Sequence, residues 1–273
     1  MKIHVGRPFQ GRLRGGAESP ALHIAALQIL ALVVATVLAA SPTMRAQNRG
    51  GGPPPTPKAS APIDLTGYWV SVVNEDWRYR MVTPAKGDYR GVPITQEALK
   101  IVNAWDPKAD EAAGNQCKSY GGAAIMRVPG RIHVTWQDDN TLRVDTDAGT
   151  QTRVLQFAPA PALPGAPTWQ GQSAATWQRP GRGNPAVRAG SLTVVTTNMK
   201  AGYLRKNGVP YSENAKVTEY FDLSPMPSNG QLLVVTTVVD DPRYLLQPFI
   251  VSSHFKKEAD GSKWDATPCS TTW

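Results

Sequence analysis

From Arg131 onward the chain is written almost wholly in a two-residue rhythm, and that rhythm constrains the fold more than any other feature. Segments 131–137, 141–147, 151–157, 168–178, 191–199, 216–223, 231–239 and 248–257 alternate apolar with polar residues, and turn-forming residues gather between them. Such alternation marks strands with one buried face. Leu65–Val73 adds an opening strand, giving about nine, with connections that read as hairpins. A helical insertion at about 95–114 interrupts them early. Thr95 caps its first helix, and Ala98, Ile101, Val102 and Trp105 form an apolar stripe. Asp106-Pro107 then starts a short second helix ending near Gly114. Strands in sequence around one insertion predict a mainly β fold, an antiparallel up-and-down β-barrel or a strongly curved sheet. The 24 Gly and 24 Pro suit a loop-rich β protein, and all eight Trp lie beyond residue 68 as bulky filling.

The N-terminus is a different kind of sequence. Lys2, Arg7, Arg12 and Arg14 precede an apolar stretch over 21–40, and Ala39, Ala40 and Ala46 offer small-residue exits. These are the parts of a secretory signal peptide, assigned to 1–46, and they predict a periplasmic or secreted protein. Uncleaved, roughly 20 apolar residues would span a bilayer, which is the one membrane link expected. The Gly/Pro-rich segment 47–62 reads as a flexible tether, and 63–273 as the barrel domain. Cleavage after Ala46 removes five bases and one acid and takes the net charge from +8 to +4. The remaining bases are scattered among acids, so nucleic acid is excluded as a partner. In an oxidising compartment Cys117 and Cys269 pair and clip the C-terminal segment to the body. Only His133 and His254 survive processing, and no metal-ligand spacing, phosphate loop or dinucleotide fingerprint occurs, so neither metal nor cofactor is expected.

Gly67-Tyr68-Trp69 resembles the Gly-x-Trp signature that opens the first strand of lipocalin-like (calycin) barrels. Where lipocalins pack an Arg from the last strand over that Trp, this chain offers His254, Lys256 and Lys257. The stretches Tyr203–Ser212, Thr218–Phe221 and Asp241–Tyr244, with Pro248 and His254-Phe255, resemble a group of uncharacterised secreted bacterial proteins. The resemblance covers most of the mature chain. It implies a lipocalin-like barrel and no particular reaction.

Two functional expectations follow. In the first, the barrel holds a small, largely apolar molecule between Trp69, Trp136, Tyr220 and Phe221, since a concave barrel is a usual ligand site. The segment 200–215 is longer than a hairpin needs. Tyr203, Arg205, Lys206, Tyr211 and Glu213 would close over the barrel mouth, with Arg205 or Lys206 meeting an anionic group; the alternative is an exposed loop. In the second, a cofactor-free isomerase, cyclase or hydrolase uses acid-base side chains. Matching like faces across the turns at 138–140 and 148–150 sets His133 opposite Asp145 and Asp145 opposite Arg153, one row over three strands. That row is either an outward charge ladder or an inward set in which Asp145 orients His133 as a base. Glu219 shares a face with Val217 and Phe221, so it points inward or lies on an edge strand.

Overall fold

The computed structural model describes residues 54–157, 165–179, 189–227 and 230–273. The signal segment and most of the tether lie outside them. Nine strands close into a barrel: β1 (Gly67–Val72), β2 (Arg131–Asp138), β3 (Thr141–Thr146), β4 (Gln151–Phe157), β5 (Gln172–Gln178), β6 (Ser191–Thr197), β9 (Lys216–Met226), β10 (Gly230–Asp240) and β11 (Phe249–Lys257). The order around the wall is β1-β11-β10-β9-β6-β5-β4-β3-β2, with β2 closing on β1. The mainly β barrel expected from the period-two rhythm is therefore present. One neighbouring pair departs from up-and-down: β4 and β5 run parallel, Leu155 opposite Ser173.

The remaining short strands, β7 (Gly202–Arg205) and β8 (Val209–Tyr211), form a hairpin of their own outside the barrel order. Asn207-Gly208 makes its turn, with Gly208 at φ 81°, and a Cβ there would overlap the Trp105 side chain. The helices are α1 (Trp77–Arg80), α2 (Gln96–Ala104) and α3 (Pro107–Ala112). Thr95 Oγ1 accepts from Ala98 N at 3.3 Å, and Asp106 caps α3 through Lys108 N at 2.9 Å. Two 3₁₀ turns, Gln116–Tyr120 and Ile125–Arg127, lead into β2.

The core divides in two. Inside the barrel, Trp69, Leu142, Val144, Leu155, Leu192, Val194, Phe221, Leu233, Val235 and Phe255 form one buried cluster. Lys257 Nζ lies 4.2 Å from the centre of the Trp69 ring, as a basic side chain on the last strand over that Trp. A second cluster joins Ala98 and Val102 of α2 to Leu204, Val209 and Tyr211 of the hairpin and to Val217, Val239 and Phe249. Those last three begin or end β9, β10 and β11, so the insertion and the hairpin together cap one end of the barrel. At the opposite end Trp136, Phe157 and Trp177 pack together, with centroids 5.3–6.4 Å apart. There, residues from the expected tether are bound to the domain: Trp177 Nε1 donates to Pro57 O at 2.9 Å, and Lys58 N to Asp139 O at 3.1 Å. Cys117 and Cys269 form the expected disulfide, Cα atoms 5.1 Å apart. Among the described residues no helix is long and apolar enough to cross a membrane.

Candidate functional site

The expected three-strand row is broken by one residue of register. His133 does face Asp145, but Asp145 pairs with Thr152, and Arg153 pairs with Val144. The β3–β4 turn holds four residues, not three, with Gly149 and Thr150 both at positive φ. A one-residue slip exchanges faces, so Arg153 points into the barrel. There its guanidinium meets Glu219, which also points inward: Nη1–Oε1 is 2.9 Å and Nη2–Oε2 is 2.5 Å, with both side chains fully buried. Nη2 also donates to Thr196 Oγ1, itself 2.7 Å from Ser173 Oγ. Both carboxylate oxygens of Glu219 are occupied by a bidentate fork, which suits an internal strut better than a free acid or base. The pair spans 66 positions of sequence, and no local pattern announces it.

His133 and Asp145 lie on the outer wall. The imidazole stacks on Tyr68, centroids 3.9 Å apart, with Trp264 edge-on to both, and partial burial holds its pKa below the ordinary value. Burial pushes the Asp145 pKa up, but hydrogen bonds from Arg143 and Thr152 outweigh it and hold the carboxyl below its usual range. Of the nominated ligand-lining residues, Trp69 and Phe221 are packed into the barrel core. Trp136 is half-buried in the aromatic group at the uncapped end. Tyr220 faces out, 40% exposed, because it alternates with inward Glu219 and Phe221. An aromatic-lined barrel interior around these four is thus corrected to a packed core with Tyr220 on its outside.

The hairpin residues are another matter. Arg205, Lys206, Asn207, Tyr211 and Ser212 are all buried, so this is no exposed loop. Tyr211 is wholly enclosed, its hydroxyl has no partner among the described residues, and burial pushes its pKa up. Tyr203 Oη donates to Asp110 Oδ2 at 2.8 Å, a carboxylate also held by Lys118. Glu213 stays on the surface beside Arg243.

Arg205 and Lys206 open onto a cavity of about 20 Å³ at the capped end, lined also by Arg80, Arg127, Tyr79 and Trp273. Arg80 ends α1 and Arg127 ends the second 3₁₀ turn, so four cations from three chain segments converge with no acidic residue in the lining. Acids stand behind two of them: Glu75 bonds Arg80 Nη1 and His254 Nδ1, and Asp76 Oδ2 accepts from Arg127 Nη2 at 3.1 Å. Asp76 itself sits at φ 51°, a conformation a non-glycine residue seldom holds outside special sites. Arg205 has no carboxylate partner among the described residues; Nη1 donates to Arg90 O at 2.8 Å and the guanidinium lies 4.0 Å from the Tyr79 ring centre. Among the described residues, Arg80 Nη2 and Arg205 Nε, like Arg153 Nε, are buried donors with no hydrogen-bond partner. Each such orphan costs about 1–3 kcal/mol. Burial lowers the Arg205 pKa to about 10 and that of Lys206 to about 8.

Lys206 Nζ has acceptors but no carboxylate: Tyr120 Oη at 2.6 Å, Ser270 Oγ at 2.9 Å, Ser270 O at 3.1 Å and Thr272 O at 3.3 Å. The Trp273 ring centre lies 3.7 Å away. The disulfide makes this possible. Cys117 and Tyr120 share one 3₁₀ turn, so joining Cys117 to Cys269 delivers Ser270 to Tyr120 and Lys206. Sequence reasoning singled out Arg205 and Lys206 but missed Arg80, Arg127, Tyr120 and Ser270. The Glu75-Asp76-Trp77-Arg78-Tyr79-Arg80 run, dense in charge and aromatics just after the opening strand, was the signal available. No protein-family model matches the chain, and no curated protein matches it.

Proposed function

We propose that this chain is an exported β-barrel binding protein that holds a small, largely apolar molecule by its acidic group at the capped end of the barrel. The observation that carries this reading is the pair of unpartnered buried guanidinium donors, Arg80 Nη2 and Arg205 Nε, among four cations on one small cavity. A carboxylate there would offset the charge of the surrounding cations, which water can do only in part. Its volume suits little more than one such group, so the body of the ligand must lie outward, along Tyr79 and Trp273. Trp77, Met81 and Val82, on and just after α1, are each more than half exposed and add apolar surface nearby in the chain. Export is supported by the basic-then-apolar N-terminus and by the disulfide, which persists in oxidising compartments.

The test is a titration of the mature protein with phenylacetate and octanoate against the matching alcohols and amides, followed by tryptophan fluorescence and calorimetry. Saturable binding of the acids alone is expected, weakened at least tenfold in Arg205→Met. Equal binding of acids and alcohols, or no binding of either, overturns the reading.

A further inference from the structure

Three polar side chains from remote parts of the chain meet at the edge of the cationic cavity. Ser270 Oγ lies 2.9 Å from Lys206 Nζ and 3.2 Å from Tyr120 Oη, and Tyr120 Oη lies 2.6 Å from the same Nζ. Lys206 and Tyr120 are buried, whereas Ser270 is exposed and open to a substrate. A hydroxyl within hydrogen-bond reach of a base, with that base oriented by a third group, is the arrangement of an activated nucleophile. In the resting structure Ser270 Oγ donates to Thr272 O at 2.7 Å, so that bond must turn toward Nζ for reaction.

We propose that Ser270 is a nucleophile and Lys206 its general base, acting on esters whose acyl part carries a free carboxylate. The substrate class rests on the anion-binding reading above: the free carboxylate enters the cavity at Arg80 and Arg205 while the ester carbonyl lies at Ser270. Lys206 both lines that cavity and touches Ser270, which links the two halves.

The step balances. Oγ bonds the carbonyl carbon while its proton passes to the neutral Nζ. The ester C–O bond then breaks, the leaving alkoxide takes the proton from Nζ, and the acyl group stays on Oγ. Water, deprotonated by Nζ, attacks that acyl ester and releases the second carboxylic acid, and Oγ recovers its proton. The neutral amine this needs is favoured by burial, which penalises the ammonium form, and no acidic residue lines the cavity to restore it. Tyr120 Oη, bonded to both groups, keeps them at this spacing.

The experiment uses mono-4-nitrophenyl glutarate and the mature, disulfide-bonded protein. The expected result is a burst of about one equivalent of nitrophenolate and a glutaryl group mapped to Ser270 by peptide mass spectrometry. Ser270→Ala, a change at an exposed side chain, abolishes both. Lys206→Met slows acylation by about 10²–10⁴-fold, with circular dichroism checking that the barrel remains. No adduct, an adduct on Lys206, or an undiminished burst in Ser270→Ala overturns the proposal. Free glutarate and 4-nitrophenyl acetate separate this proposal from the anion reading. Glutarate binding without acylation sinks the nucleophile and leaves the anion site standing. Acylation of Ser270 by the acetate without glutarate binding sinks the anion site and with it the carboxylate-bearing substrate class, and leaves the Ser270–Lys206 nucleophile standing.

Discussion

Two buried ionic arrangements in this barrel follow opposite rules. In the interior, Arg153 and Glu219 bind each other through both oxygens and are both sealed from solvent. At the capped end, Arg80, Arg127, Arg205 and Lys206 converge on one cavity, and the two acids near them, behind Arg80 and Arg127, leave donors unmet. The first arrangement matches cation to anion one for one, although Arg153 Nε, like Arg80 Nη2 and Arg205 Nε, is a buried donor with no partner among the described residues. The second carries a debt of unpaired charge in the folded state, the kind of cost that persists where a ligand removes it. Burial alone therefore does not mark a functional cation; the absence of a matched anion does.

The comparison breaks most easily at the interior pair. Glu219→Ala leaves Arg153 buried with no counter-charge, and breaking such a pair typically costs about 3–5 kcal/mol. We expect a loss of that size in urea denaturation. The double change Arg153→Met with Glu219→Leu should recover most of it, because an apolar pair of similar volume removes both charges. A single Glu219→Ala with stability near wild type would mean that the interior pair is not the strut described above.

The contrast also explains what the sequence could and could not disclose. The barrel was legible because alternation is local: each strand declares its own buried face, and nine such faces have few ways to close. Arg205 and Lys206 were legible because 200–215 is too long for a hairpin. The Arg153 register was not, since one extra residue in a turn that tolerates positive φ at both Gly149 and Thr150 flips the strand. Nor was the cavity, because Arg80, Arg127, Lys206 and Ser270 come from four segments joined only by tertiary packing and one disulfide. Composition and periodicity carry no record of such a meeting.

A smaller effect tests the unpaired end through pH. Burial lowers the Lys206 pKa to about 8, against 10.5 for a free lysine. Between those values the unfolded chain binds more protons than the folded one, so stability should rise with pH from about 8 to 10.5. Below pH 8 the folded state bears the full cost of the buried ammonium. Because Tyr203 and Tyr211, raised by burial, oppose this trend once free tyrosine ionises near 10, the slope is cleanest from pH 8 to 9.5. Denaturation midpoints of wild type and Lys206→Met across that range give the measurement. A wild-type curve parallel to that of the variant would mean that Lys206 is not held toward its neutral form.

The smallest expected effect is the sharpest contrast with the interior pair. Arg205→Met deletes a buried guanidinium of about the same burial class as Arg153, yet it removes no ion-pair partner. Its losses are one hydrogen bond to Arg90 O and the contact with the Tyr79 ring, about 1 kcal/mol each, and a weaker attraction to Asp76 and Asp88. Its gains are release of the orphaned Nε, which costs about 1–3 kcal/mol to bury unbonded, and relief of repulsion from Arg127. The terms nearly cancel, so the net change in stability should fall within about 1 kcal/mol, well below the cost of Glu219→Ala. Urea denaturation of the two variants under identical conditions makes the comparison. A loss for Arg205→Met as large as that for Glu219→Ala would show that Arg205 has a structural partner after all, and the distinction between a closed pair and an open cationic site would fail at its clearest residue.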